Sequence, residues 1–194
     1  MQETALFLDL DGTLLSSKKT ISTTDYYSLK KYLNYGGKVF IASGRSPIAI
    51  SNLTYRLNLN REFVAYNGAF VFLGPKEYKC FPLSYEQIKY LMSIANKYSL
   101  EILLFTENSV IVKRVNKTNQ FLLSDTIPIQ VFEPFLIDNN QLKIIETQNF
   151  DKYTNNIIKI SLLHEKFCII SSVFKTLNKL SLDLNIIPEL FTHI

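Results

Sequence analysis

The chain has 194 residues, of which 47% are hydrophobic and 20% charged, and its formal net charge is +4. This composition is ordinary for a globular protein and argues against disorder over most of the chain. Lysine and arginine are scattered, which favours a solvated surface over a nucleic-acid-binding face. No run approaches the roughly 18 to 20 apolar residues of a membrane helix, and we expect no signal peptide because Asp9 interrupts the first apolar run.

Strands and helices alternate in the first part of the chain. An apolar strand is predicted at 4–10, followed by a helix at 23–35 that ends in two glycines. A second strand follows at 38–42, then a helix at 47–57 with proline in its first turn, then a strand at 63–66. This alternation predicts an α/β fold with a parallel, doubly wound sheet.

The pattern becomes mixed in the second part of the chain, which predicts a separate α+β module without a Pro-, Gly- or Ser-rich linker before it. We place the boundary between the two domains at 1–80 and 81–194. The predicted elements from the end of the first domain onward are a hairpin at 70–73 and 78–83, a helix at 84–98, strands at 101–106 and 109–113, a short helix at 117–125, a strand at 156–163, a helix at 165–180 and a strand at 181–187.

Two carboxylates directly follow the first strand, in Asp9-Leu10-Asp11-Gly12-Thr13. Residues two apart in an extended chain project to the same side, so we expect Asp9 and Asp11 to lie together, with Gly12 allowing a sharp turn. Acids at the end of a buried strand are costly to desolvate unless their charge is offset. Oxygen ligands suit Mg²⁺, so the pair predicts a metal site for phosphate chemistry.

The same segment supplies candidate catalytic groups. Asp9 is the candidate nucleophile, because a carboxylate can attack phosphorus to form an aspartyl-phosphate. Asp11 can protonate the leaving oxygen and later activate water. Backbone N–H groups of Leu10, Gly12 and Thr13 are candidates to hold phosphoryl oxygens. Mg²⁺ between Asp9 and the phosphate would offset the repulsion between two anions.

Two further motifs follow the second and third strands. Ser43-Gly44-Arg45 lies where open α/β sheets bind ligands, so its hydroxyl, N–H groups and guanidinium are candidates for phosphate binding. An ordinary turn is the alternative interpretation of this motif. Asn67 follows the third strand, and the sequence leaves open whether it binds substrate or fixes a turn.

The segments 8–14, 42–45 and 66–69 together resemble the haloacid dehalogenase (HAD) superfamily of phosphohydrolases, specifically its Cof-type branch. The resemblance implies a Rossmann-like core with a large α+β cap inserted after the third strand. It also implies that Asp9 is nucleophile and Mg²⁺ ligand, that Asp11 is acid and base with its backbone carbonyl reaching the metal, and that Ser43 binds phosphate. The substrates it implies are small phosphate monoesters such as sugar phosphates.

The sequence departs from that family in one respect, because we find no counterpart of its later lysine motif or its Gly-Asp-type acidic motif. We therefore expect an incomplete, C-terminally truncated core in which the first strand has an unpaired apolar edge. We expect the 194 residues alone to be unstable or inactive unless a separate polypeptide supplies the rest. A non-catalytic phosphometabolite-binding protein and a phosphomutase-type relative are the alternatives.

The remaining expectations concern partners and compartment. The expected partner is a small phosphorylated metabolite, with no nucleic acid and no membrane among the partners. Cys80 and Cys168 are far apart and in no metal-ligand spacing, which favours a reducing, cytoplasmic compartment.

Overall fold

The structure is a computed structural model that describes residues 4–17, 19–120, 123 and 142–178. Within these residues a first sheet has five strands in spatial order: β1 (Ala5–Leu8), β2 (Lys38–Ala42), β3 (Phe63–Ala65), β4 (Phe70–Gly74) and β5 (Glu77–Cys80). The pairs β1–β2 and β2–β3 are parallel, whereas β3–β4 and β4–β5 are antiparallel. The predicted parallel sheet is therefore confirmed for three strands, and the predicted hairpin extends it.

Two helices make the crossovers between the parallel strands, α1 (Thr23–Asn34) and α2 (Pro47–Leu57). The hydroxyl of Ser46 caps α2 by accepting a hydrogen bond from the N–H of Ala49, and proline occupies the first turn as predicted. The buried residues of α2 include Ile50 and Leu53, so its apolar face packs into the core. In the part of the chain that the structure describes, no helix is both long and apolar enough to cross a bilayer.

A second sheet has four strands in the described ranges, in the order β8 (Lys143–Glu146), β7 (Ser109–Val112), β6 (Glu101–Phe105) and β9 (Lys159–Leu163). Its strand β8 was not predicted from the sequence, and the predicted strand at 181–187 lies outside the described residues. The elements in chain order are α3 (Tyr85–Lys97), β6 (Glu101–Phe105), β7 (Ser109–Val112), α4 (Lys117–Gln120), β8 (Lys143–Glu146), β9 (Lys159–Leu163) and α5 (Phe167–Asn178).

The two sheets share one hydrophobic core. Leu103 and Phe105 of β6 belong to the same buried cluster as Leu10, Ile41 and Phe70 of the first part of the chain. The first sheet lies within 5–80 and the second within 101–163, and the domain boundary at residue 80 remains a prediction. The shared cluster means that the second sheet is held against the first by burial of apolar surface.

Strand β1 lies at the edge of the first sheet and, among the described residues, pairs only with β2. Leu6 is 37% exposed and Phe7 is 64% exposed, with the ring of Phe7 stacked on Phe40 at 5.1 Å between centroids. The prediction of a strand at 4–10 buried on both faces is wrong here, since the strand ends at Leu8 and is largely exposed. The expected unpaired apolar edge is present.

Candidate active site

The turn that follows β1 places the two predicted acids. Leu10 is fully buried, and its carbonyl accepts hydrogen bonds from the N–H groups of Leu15 at 2.7 Å and Thr13 at 3.3 Å. Gly12 has φ of +83°, in the left-handed region that favours glycine. Strand β1 ends at Leu8 and the chain turns between Leu8 and Leu15, so strand alternation does not apply to Asp9 and Asp11. That their side chains lie together remains a prediction.

Asp11 is held by two cations. Arg45 donates hydrogen bonds from Nε to Oδ2 at 2.7 Å and from Nη2 to Oδ1 at 2.8 Å, while Nζ of Lys19 lies 2.5 Å from Oδ1. Burial raises the pKa of Asp11, but the bonds from Arg45 and Lys19 lower it by more, so that it falls from 3.8 to about 2. Asp11 is thus ionised at neutral pH in this arrangement, and its role as proton donor remains a prediction.

Asp9 has a different environment. Its Oδ2 accepts a long hydrogen bond of 3.4 Å from the hydroxyl of Thr13, and the residue is exposed. No ion pair to Asp9 is present in the described ranges. Of the two carboxylates, Asp9 is therefore the one that solvent, a ligand or a metal can reach without breaking an ion pair, which suits the predicted nucleophile.

The predicted phosphate-binding segment, residues 43–45, lies against the turn that follows β3. Ser43 is buried, and its hydroxyl accepts a hydrogen bond from the N–H of Arg45 at 3.3 Å. The N–H of Asn67 donates to the carbonyl of Ser43 at 3.2 Å. A Cβ at Gly44 would lie 2.8 Å from Oδ1 of Asn67, so any larger residue here would require the Asn67 side chain to shift. The structure thus brings Asp11, Ser43, Gly44, Arg45 and Asn67 together.

The backbone donors proposed for phosphate are partly engaged. The N–H of Gly12 donates to the carbonyl of Leu15 at 3.2 Å, and that of Thr13 to Leu10. These are long bonds within the turn, so a bound anion would compete with them. The assignment of Leu10, Gly12 and Thr13 to phosphate binding remains a prediction.

The oxygen donors of the site fit Mg²⁺ in part. The accessible carboxylate of Asp9 is a ligand of the kind that Mg²⁺ prefers, and main-chain carbonyls and water can complete the shell. Both carboxylate oxygens of Asp11 are bonded to cations instead. Across residues 4–17, 19–120, 123 and 142–178, no group of three or more His, Cys, Asp or Glu side chains is placed to hold a metal ion. Asp9 is therefore the residue best placed to bind the ion.

Three residues at the site were missed by the sequence analysis. Lys19 reaches Asp11 from a left-handed turn with φ of 58°. Nζ of Lys159 donates to the carbonyl of Gly44 at 3.3 Å although the two residues are 115 positions apart, and the hydroxyl of Tyr66 donates to the carbonyl of Thr106 at 2.9 Å. No local pattern in the sequence could have indicated these contacts.

The sequence and the fold of this chain are similar to those of known proteins. A family model for haloacid dehalogenase-like hydrolases matches residues 6–189. A Mycoplasma genitalium protein named "putative phosphatase" is 26% identical over 189 residues, which are 95% of this chain and 67% of that protein. The crystal structure of a haloacid dehalogenase-like hydrolase from Bacteroides thetaiotaomicron matches with a TM-score of 0.71 at 24% identity, over 91% of this chain and 63% of that one.

A sugar phosphatase of HAD subclass IIB has the same fold, with a TM-score of 0.68 at 23% identity over 90% of this chain and 64% of its own length. The chain thus spans less than two thirds of the length of both solved structures. The match of the family model over almost the whole sequence is decisive for classification. The chain belongs to the haloacid dehalogenase-like hydrolase family.

Proposed function

We propose that the chain carries a Mg²⁺-dependent phosphatase site that acts on small phosphate monoesters such as sugar phosphates. The observation that supports it is the bidentate contact of Arg45 with Asp11. This contact connects the residues that follow β1 to those that follow β2. Both segments lie at the carboxyl ends of the parallel strands, where α/β sheets bind ligands. Family membership supports hydrolase chemistry at that edge.

The proposed reaction has two steps. A carboxylate oxygen of Asp9 attacks phosphorus, the bond from phosphorus to the ester oxygen breaks, and Asp11 gives a proton to the leaving oxygen. Water then attacks the aspartyl-phosphate while Asp11 takes back a proton. Asp9 would hold Mg²⁺, and the charge of the ion would offset the repulsion between the carboxylate and the phosphate. Proton donation by Asp11 would require weaker bonds from Arg45 and Lys19, because those bonds hold the pKa of Asp11 at about 2.

A second candidate function is binding of a phosphorylated metabolite without turnover. The described residues bring no third acid to Asp9 and Asp11. A site with a single accessible carboxylate and the cations Lys19 and Arg45 can bind an anion more readily than it can complete two proton transfers.

A phosphomutase-type reaction would use the same opening step on Asp9 and differs only in where the phosphoryl group goes.

We further propose that additional polypeptide pairs with β1, either in a separate chain or continuous with this one. The match covers 63% and 64% of the two solved structures, so more than a third of each lies outside it, and β1 presents exposed Leu6 and Phe7 beside an unpaired strand edge in the described residues. We propose a cytoplasmic location, since Cys80 and Cys168 lie far apart in the sequence and in no metal-ligand spacing.

The test uses the full chain with Mg²⁺ and compares the wild type with Asp9→Asn. Asp151→Asn is the matched control, since Asp151 is an exposed acid paired with Lys89 away from the site. Binding of inorganic phosphate is measured by calorimetry, and hydrolysis is measured on p-nitrophenyl phosphate and a panel of sugar phosphates. We expect Asp9→Asn to lower turnover roughly 10³-fold or more, as removal of a covalent nucleophile does.

Three outcomes separate the hypotheses. Turnover that needs Asp9, with a phosphoryl group trapped on Asp9 by acid quenching, supports the phosphatase. Mg²⁺-dependent phosphate binding without turnover supports the binding protein instead. A wild-type chain that binds no phosphate, or an Asp9→Asn variant with full activity, contradicts the proposed site.

A further inference from the structure

The first sheet has a second edge, strand β5, on the side opposite β1. Among the residues that the structure describes, β5 pairs only with β4. Its first three residues, Glu77, Tyr78 and Lys79, are all exposed, and Tyr78 is 56% exposed. An edge strand of this kind presents backbone N–H and C=O groups with which a further strand can pair.

A row of stacked aromatic rings crosses the sheet and ends at this edge. The ring of Phe63 on β3 lies 6.4 Å from that of Phe70 on β4, and the ring of Phe70 lies 5.5 Å from that of Tyr78, measured between centroids. Phe63 and Phe70 are buried, whereas Tyr78 is more than half exposed. Tyr78 is therefore the ring of this row that has the most apolar surface left to bury against a partner.

The backbone of Tyr78 faces away from β4. The N–H of Phe81 donates to the carbonyl of Ala69 at 2.9 Å, so the backbone of Phe81 points toward the β4 side. Successive residues of an antiparallel strand direct their N–H and C=O groups alternately toward and away from the paired strand. Lys79, two residues before Phe81, then faces β4, and Tyr78 faces the free edge. Tyr78 thus offers one donor and one acceptor to a strand beside β5.

The charges of β5 are arranged symmetrically about Tyr78. Glu77 precedes it and Lys79 follows it. If two copies of β5 lie antiparallel with Tyr78 opposite Tyr78, Glu77 of each copy lies opposite Lys79 of the other. Opposite charges at directly opposed positions stabilise an antiparallel pair, whereas like charges destabilise it. A lysine on an edge strand usually opposes pairing, but in this register each lysine meets a glutamate.

A two-fold axis between the two Tyr78 residues is consistent with all of these observations. The N–H of each Tyr78 would donate to the carbonyl of the other, as in a hydrogen-bonded pair of an antiparallel ladder. The two tyrosine rings would lie on one face of the joined sheet, where directly opposed side chains are neighbours. Because the same patch serves both copies, the assembly closes as a dimer.

We propose that β5 is a homodimer interface, in which two copies of the chain pair antiparallel about Tyr78 and their first sheets join into one. The charge order of β5 fits a second copy, whereas β1, with the sequence Ala-Leu-Phe-Leu, offers no charge to Glu77 or Lys79. The contact surface of one short strand is small, so the dimer is weak and depends on concentration. This inference does not depend on the proposed function, because Glu77, Tyr78 and Lys79 lie outside the candidate active site.

The experiment measures the dissociation constant of the dimer by sedimentation velocity over a range of concentrations. The parent protein is the full chain with Phe7→Thr, so that association through the β1 edge does not contribute. The variants made in it are Glu77→Lys, Lys79→Glu and the double charge swap Glu77→Lys/Lys79→Glu. Lys143→Glu is the matched control, because Lys143 is an exposed lysine in β8, which ends the second sheet in the described residues. Thermal melting of each variant establishes that it is folded.

We expect each single variant to weaken the dimer about tenfold or more, because symmetry converts two attractive pairs into two repulsive ones. The double charge swap restores the unlike pairs with their positions exchanged, so its dissociation constant should return to within about threefold of the parent value. Lys143→Glu should leave the dissociation constant unchanged.

Other results overturn the inference. A parent protein that remains monomeric at about 1 mM would show that β5 forms no dimer. A dimer that neither single variant weakens would show that the contact lies elsewhere. Loss of the dimer in both single variants without recovery in the double charge swap would exclude the antiparallel register about Tyr78. Each of these results stands apart from phosphate binding or hydrolysis by the same chain.

Discussion

The variant Arg45→Met tests whether the ion pair with Arg45 stabilises the folded position of Asp11, the candidate general acid. Arg45 is 3% exposed and makes two hydrogen bonds to Asp11, at 2.7 and 2.8 Å. Burial raises the pKa of Asp11, and the bonds from Arg45 and Lys19 bring it down to about 2. Methionine keeps an unbranched apolar stem and removes the charge, so Arg45→Met isolates the ion pair from the packing.

The magnitude follows from the pKa of Asp11. A fall from 3.8 to about 2 is about 1.8 units, which corresponds to about 2.4 kcal/mol of stability at neutral pH. The Asp11 side chain is 38% exposed, so solvent screening reduces this to about 1 to 2 kcal/mol. Because the folded pKa is the lower one, the stabilisation is complete above pH 3.8 and is lost as pH falls toward 2. About half of it should remain at pH 3.

The assay is urea unfolding of the wild type and Arg45→Met at pH 7 and pH 3. We expect the variant to lose about 1 to 2 kcal/mol of unfolding free energy at pH 7 and about half as much at pH 3. Lys89→Met, which removes an exposed ion pair to Asp151, should change little at either pH. An equal loss at both pH values for Arg45→Met would refute the reasoning, because packing does not titrate.

Two further predictions concern the loop and the sheet edge. Gly44→Ala should cost about 1 kcal/mol in thermal unfolding, the low end for overpacking, because its Cβ would meet Oδ1 of Asn67 at 2.8 Å and that side chain can shift. Adding Asn67→Gly should recover most of that loss, and no recovery would mean that another contact is responsible. Phe7→Thr should reduce self-association in analytical ultracentrifugation with little change in melting temperature, since Phe7 is 64% exposed on the unpaired edge of β1. Unchanged self-association would show that the edge is not the contact.

Several local features of the fold could be predicted from sequence, since each depends on residues close together along the chain. The two crossover helices follow from capping residues and apolar spacing, as does α3, where Ser84 and Gln87 form a capping box. The parallel strands β1 to β3 follow from apolar runs separated by those helices. The resemblance to phosphohydrolases depends on short motifs at the ends of these strands, and the family match agrees with it.

The partners of the site residues could not be predicted in this way. The sequence did not indicate that Asp11 is bonded to Arg45 and Lys19 while Asp9 stays accessible. Arg45 is 34 positions from Asp11, and Lys159 is 115 positions from Gly44. The spacing of apolar residues along the chain carries no information on contacts between residues that are so far apart in the sequence.

The sequence by itself therefore determined which segments form strands and helices and which polar residues follow the strands. Only the tertiary structure decided that Phe7 is exposed beside the edge that β1 leaves unpaired among the described residues, that Asp11 is bound by two cations, and that a lysine of the second sheet reaches Gly44. The physical reason is that hydrogen bonding and capping within an element act over a few residues. Pairing between charges depends on how the buried apolar faces bring distant segments together.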